Sequence, residues 1–320
     1  MQIEMKQMKY STNLIATFIA ILLTSPVFSQ SKNDIDKELT RVMEAARADN
    51  SLMFSSKLIT EKSADIILQS LAPYYSDSVV LVRSKAYNLA KKAGLKATDI
   101  NIRQNAVVTL TRGCKDKDSG ISGMVSRYLT EYLQSDFNDE AKNNIGNLLE
   151  GHPAHFDRII KLVGFVQLKE KENRLFDILY TDSLLSKSAK WAVHLAIARM
   201  GNEAEVAYCV SKVSRYPLND DVVYELLPDL IYVRQKAAID YLVTALNEDG
   251  KNCSSPDPAS DDNIICGYRI MEYLAPVVKD FPLTVGPSGD IQNVKYPEAL
   301  ELARKWFEEN KEYGLITDTY

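Results

Sequence analysis

Three observations predict an all-α fold for this 320-residue chain. Apolar residues recur at helical spacing from residue 35 onward, and no segment sustains the two-residue alternation of a half-buried strand. Glycine is also scarce: thirteen in 320 residues fall well short of the usual share of roughly 7%, which leaves few tight hairpins.

The first element is a processing signal. Residues 1–29 carry Lys6 and Lys9 ahead of a short apolar run from Asn13 to Leu23, and end in Val27, Phe28 and Ser29. A positive start, an apolar middle and small groups before a cut define a secretory signal peptide. A membrane span needs about 20 apolar residues, and Thr24, Ser25 and Pro26 end this run first. The expectation is an exported chain, periplasmic or secreted, with no stable membrane insertion after signal removal. Loss of the segment removes two lysines and one glutamate, taking the net charge from −5 to −6. No basic face is left for a nucleic-acid partner.

Residues 30–59 are expected to form an N-terminal capping helix, with Ile35, Leu39, Val42, Met43 and Ala46 on one stripe opposite Asp36, Lys37 and Arg41. The pattern then restarts every 15 to 20 residues. Helices are predicted near 60–72, 78–93, 99–114, 120–134, 138–149, 154–166, 170–181, 185–200, 203–214, 219–234, 236–247, 262–278 and 295–312. Breaker and capping residues separate them, among them Pro73, Gly94, Gly120, Pro153, Asp182, Gly201, Pro217 and Gly250.

Short helices on short loops form a bundle or a solenoid, and the internal motifs favour the solenoid. "VRSKAYNLA" from Val82 and "IRQNAVVTL" from Ile102 both follow an aliphatic-Arg pair with an alanine three residues past the arginine. "WAVHLAIARMGNEAE" from Trp191 carries a related alanine-rich face. Small alanines let neighbouring helices approach, and such pairs bury their apolar faces only by stacking. These motifs resemble the second helix of the HEAT-repeat family in Val82, Arg83 and Ala86, and again in Ile102, Arg103, Ala106 and Leu110. Tyr87 and Leu89 depart from the family's alanines, and the two motifs lie one helix apart. The resemblance implies an α-α superhelix, with HEAT-like repeats over 60–250; residues 251–320 are expected to hold a disulfide-bearing loop and C-terminal capping helices.

Candidate chemistry is thin. His152 and His155 lie three apart at a proline-marked boundary, and zinc needs three or four ligands. Cys114 stands beside Arg112, Lys115 and Lys117, charges that would lower a thiol pKa, but no histidine is near in sequence. Cys209, Trp191 and Trp306 read as packing residues. No nucleophile motif occurs, so no catalytic residue and no cofactor is assigned. Tyrosine is the unusual usage, at 17 against nine phenylalanines. An amphipathic ring suits interfaces, and Tyr87, Tyr128, Tyr224, Tyr232 and His194 are taken as a candidate interaction surface. The expected function is a protein-binding scaffold without turnover; a groove enzyme or carbohydrate binder of the envelope, and a structural spacer, are the alternatives.

Four cysteines allow three pairings, and only Cys253 and Cys266 are close in sequence. Outside the cytoplasm such a pair is expected to close a disulfide. Asp257, Asp261 and Asp262, between them, lack the order of a calcium loop, so no metal is assigned there.

Overall fold

The computed structural model describes residues 32–256 and 261–320; the expected signal peptide and Asp257 lie outside them. The described chain is mainly helical, as the spacing predicts, and divides into two compact units, with the boundary in sequence between Gly113 and Cys114. The sequence carries no linker signal at that point.

The first unit contains α1 (32–47), α2 (Ala64–Ser70), α3 (Val80–Lys96) and α4 (Ile100–Gly113). The whole predicted stripe of α1, Ile35, Leu39, Val42, Met43 and Ala46, is buried, and it packs with Ile67, Leu71, Val82 and Ala90. The capping helix stops at residue 47, however, and two 3-10 turns, Ser56–Leu58 and Glu61–Ser63, cover part of the remaining stretch to Ala64. Asp77 pins the entry to α3. Its carboxylate accepts from the Val79 amide at 2.8 Å and from Arg47 Nη2 at 2.6 Å, which holds it below the usual carboxylate range, the amide being the larger cause. Glu38 is lowered likewise, first by Arg41.

The second unit contains α5 (Ser119–Tyr128), α6 (Asp139–Leu148), α7 (Phe156–Phe165), α8 (Glu172–Thr181), α9 (Lys187–Arg199), α10 (Glu203–Val213), α11 (Leu227–Val233), α12 (Lys236–Leu246), α13 (Gly267–Leu274) and α14 (Tyr296–Glu309). Asp118, Asn138, Ser186 and Asn202 each cap a helix by accepting a backbone N–H two or three residues inside it. Helix α7 packs on α9, α9 on α11, and α10 on α12. A side chain at Gly164 would meet the Cα of Ala196 at 2.6 Å, so glycine is what lets α7 and α9 come together.

A recurrence unseen in the motifs marks the helix ends. Gln167, Gly201 and Arg234 all adopt left-handed backbone at φ 59°, 98° and 53°, with 34 residues between the first two (167 to 201) and 33 between the next (201 to 234). At the first two the chain closes with paired bonds, Leu168 N–H to Val163 O with Gln167 N–H to Gly164 O, and Asn202 N–H to Ile197 O with Gly201 N–H to Ala198 O. This is the αL helix stop, in which two otherwise unpaired carbonyls are satisfied.

Helix 219–234 of the sequence reading is not continuous. Val222–Leu226 forms a π-helical turn and α11 begins at Leu227. Pro228 is the cause: it has no N–H to donate, and its ring would strike the carbonyl four residues back, so the chain takes up the conflict in a wider turn.

Cys253 and Cys266 form a disulfide that closes a two-stranded ribbon of β1 (Cys253–Ser254) and β2 (Asn263–Ile264). The ribbon is fastened to the loop before the π turn, where Asp220 Oδ2 accepts from Ser254 N–H at 3.0 Å and from its hydroxyl at 2.6 Å. Beyond α14 the chain returns as an extended segment whose Leu315 bridges Val278.

Two outcomes follow from these contacts. A group with a depressed folded pKa stabilises above its unfolded value and loses that contribution as pH falls through the folded one. Helicity followed by circular dichroism should therefore drop as acid is added below about pH 4, and Asp77→Asn should remove part of that dependence. Replacement of Cys253 by serine should cost about 3 kcal/mol in urea unfolding, the chain-entropy estimate for a loop of this length, and reduction of the wild type should reproduce the loss.

Candidate functional site

Of the five candidate surface residues, the structure buries three. Tyr87, Tyr128 and Tyr232 are each less than a tenth exposed, because their helices turn those positions into the interior. Tyr87 stacks on Tyr75 at 5.0 Å between ring centroids, and the hydroxyl of Tyr232 donates to Lys161 O at 2.6 Å. The surface role therefore passes off these three. Tyr224 stands half out of the protein, and His194 lies at an edge with its Nδ1 2.6 Å from Glu205 Oε2.

His194 leads to an aromatic cluster. Tyr208 of α10 lies over its ring at 4.4 Å, and Trp191, one turn earlier on α9, lies 6.4 Å away. Trp191 was expected in the core but is only half-buried. Its Nε1 donates to Asp229 Oδ2 at 2.6 Å, and the other oxygen of Asp229 takes Lys161 Nζ at 2.6 Å. Asp229 is the first residue after Pro228, so the π turn sets the angle at which the indole is held.

The free face of the indole lines a surface pocket of about 430 Å³, within the range of small-molecule and anchor-residue sites. Val213, Tyr216, Pro217, Val222 and Leu226 complete its apolar wall, and Lys212, Asp221 and Glu225 bring charge to it. Lys212 Nζ lies 4.3 Å from the Trp191 ring centroid and 5.8 Å from that of Tyr208, a cation–π geometry. The carboxylates of Asp221 and Glu225 make no hydrogen bond or ion pair with any described residue. Three charges thus share one cavity without neutralising one another. The signal available in sequence was the run from Tyr208 to Glu225, which holds three tyrosines, Lys212, Arg215 and three acidic residues; the fold was needed to bring Trp191 to it.

A second cluster sits at the helix ends. The Arg199 guanidinium, almost wholly buried, lies 5.1 Å from the Phe165 ring and 4.8 Å from that of Tyr232. It donates to Tyr232 O, to Thr319 O at 2.6 Å and to Thr317 O at 3.3 Å. Beside it Arg234 donates to Ile231 O and Tyr320 O. Burial lowers the Arg234 pKa to about 10, with the like charge of Arg199 adding to the shift. Tyr320 packs its ring on Phe165 and Tyr232. These groups are turned toward one another and toward the carboxy-terminal segment, which makes the cluster a fastening.

The other sequence candidates stay apart. His152 stacks on Phe156 at 4.5 Å and lies 3.5 Å from Asp182, while the His155 ring rests against Gly123. Among the described residues no three His, Cys, Asp or Glu side chains converge as a metal site would require. Cys114 and Cys209 are free and buried, and burial pushes both thiols up to about 12. That reverses the direction expected for Cys114 from its basic neighbours, since at a site closed to water desolvation of the thiolate outweighs nearby charge.

What the fold and site define is a mainly helical protein with an aromatic-walled, charged surface pocket. Comparison of the chain with protein-family models, curated proteins and solved structures gives no match. Among the described residues, no helix is long and apolar enough to cross a membrane.

Substitution of Arg199 by methionine tests the fastening. It should cost about 3 kcal/mol of stability, as buried charge-assisted bonds are lost and their carbonyls stranded. Hydrogen exchange should show the Ile316 amide, which donates to Val277 O at 2.8 Å, losing protection first.

Proposed function

We propose that this chain is an exported helical-repeat protein of HEAT-like type that binds a partner protein, with the Trp191 pocket as the anchor of the interface and no chemical turnover. Export is supported by the signal-like first 29 residues and by the Cys253–Cys266 bond, since disulfides persist in oxidising compartments. The repeat reading is supported by the alternate packing of α7, α9 and α11 and by the recurring left-handed helix stops. Their spacing of 33 to 34 residues is shorter than the roughly 40 to 47 of HEAT units.

One observation carries the binding role. Tyr216, 55% exposed, lines a pocket that already has a tryptophan in its wall, and Tyr208, 43% exposed, stands beside that tryptophan at 6.5 Å between ring centroids. Interfaces are enriched in these residues, and energy concentrates where an anchor fills a pocket.

The meeting of Lys212, Asp221 and Glu225 in that pocket supports a second reading, a site for a small polar ligand such as a sugar, with Trp191 as a stacking platform. The lining holds no serine, threonine, cysteine or histidine to act as nucleophile or imidazole base.

A photo-crosslinking amino acid at position 208, beside the indole, and another at the exposed Lys305 of α14, separate these readings in a native envelope extract. The scaffold reading expects a discrete protein adduct from 208 that is absent from 305 and lost with Tyr216→Glu. Equal labelling from both positions, or none from 208, overturns it. Saturable binding of a neutral oligosaccharide would move support to the second reading.

A further inference from the structure

The Trp191 pocket has the composition of a receptor for a positive charge, and it already contains one. A cation over an indole face is attracted by the negative quadrupole of the ring. In this structure the cation is Lys212, whose Nζ stands 4.3 Å from the Trp191 centroid. Lys212 makes no ion pair within 4.0 Å with any described carboxylate, although Asp221 and Glu225 line the same cavity. A lysine on a flexible stem beside two free carboxylates would ordinarily reach for one of them. Here it rests on the aromatic wall, and both carboxylates remain open to solvent.

The lining therefore carries two negative charges and one positive, and the positive one lies over the surface that an incoming cation would use. We propose that the pocket receives an arginine side chain of the partner protein, and that Lys212 is a resident surrogate which leaves the Trp191 face when that arginine enters. Guanidinium is the group that uses all the walls at once. Its plane stacks on indole or phenol, its paired N–H groups fit a carboxylate in two parallel bonds, and it sheds water more readily than ammonium. Asp221 and Glu225 stand four residues apart across the π turn, so either or both can take the fork, and Tyr216 closes the outer side. Asp229 keeps the indole in place from behind, already paired to Lys161 and to Trp191 Nε1. The inference rests on the reading of the pocket as an interface anchor and adds the chemistry of what it holds.

The test uses the full chain with Trp306→Phe, so that Trp191 is the only indole reporting. The probe is N-acetyl-L-arginine amide, which carries the guanidinium without a carboxylate, with the corresponding capped lysine, glutamine and glutamate as controls. Capped arginine should change the Trp191 emission saturably, capped lysine more weakly, and glutamine and glutamate not at all. Lys212→Met should tighten arginine binding by about threefold, since the resident competitor is gone, and Lys212→Gln should do the same if the methionine variant folds poorly. Asp221→Asn combined with Glu225→Gln should weaken it about fivefold or more.

Equal binding of glutamine or glutamate, lysine matching arginine, weaker binding on loss of Lys212, or no effect of the double amide variant would each overturn the proposal. Failure here with a crosslinked partner at position 208 leaves the interface and removes only its arginine. Arginine binding without any partner adduct removes the scaffold reading and leaves the pocket as a cation site.

Discussion

The second unit is organised around a buried cation. Arg199 ends α9 between an aromatic ring of α7 and one of α11, and its guanidinium donates to main-chain oxygens of α11 and of the carboxy-terminal segment. A buried charge without partners is very costly; this one is met by carbonyl dipoles and ring faces, with no side-chain carboxylate. Only arginine has the donors and the flat faces to do this. The close approach at Gly164 and Ala196 brings α7 and α9 together, and Phe165, Arg199 and Tyr232 then stack at corresponding ends of successive helices.

The two clusters of the second unit handle charge in opposite ways. At Arg199 and Arg234 the positive groups are mostly turned inward onto backbone oxygens, and a tyrosine closes over them. At Trp191 the charges line one open cavity without pairing, Lys212 on the indole and the two carboxylates exposed. Surface charges of that kind add little to stability even when paired, so folding alone gives no reason for one cavity to hold three of them unpaired beside an indole. Fold stability and recognition thus use the same residue types, arginine or lysine against tyrosine or tryptophan, and differ in whether water is excluded.

Much of the fold was legible because helical period reports which face is wet. The α1 stripe from Ile35 to Ala46 is buried as read and the near pair of cysteines is the bonded one, and Gly201 does end a helix, whereas Gly94 and Gly120, read as breaks, lie inside α3 and α5. The site was less legible, for a physical reason. A tyrosine has both an apolar ring and a polar tip, so composition cannot say whether it points in or out: Tyr232 spends its hydroxyl on a carbonyl of α7, while Tyr216 remains in water. Trp191, a single aromatic at a helical position, looked like core, yet its indole reaches α11 only through the Nε1 bond to Asp229 and otherwise lines a surface pocket. The arginine motifs at Arg83 and Arg103 suggested one spacing, and the helix stops at Gln167, Gly201 and Arg234 another, since backbone conformation leaves no mark on a residue such as glutamine.

The π turn at Val222–Leu226 turns the question of the pocket into one of phase. Each residue advances a helix by about 100°, and the wide turn accommodates one residue more than an α-helical turn would, as the bond from Leu227 N–H to Val222 O records. Everything after it is rotated by that step relative to everything before. Asp229 faces Trp191 and Lys161 only in the rotated setting, while Asp221, which precedes the turn, faces the cavity in the original one. The pocket is the place where two helical registers overlap, and a chain shortened by a single residue there would keep its helices, its core and its charges while the back support of the indole and its acidic rim no longer pointed to the same spot.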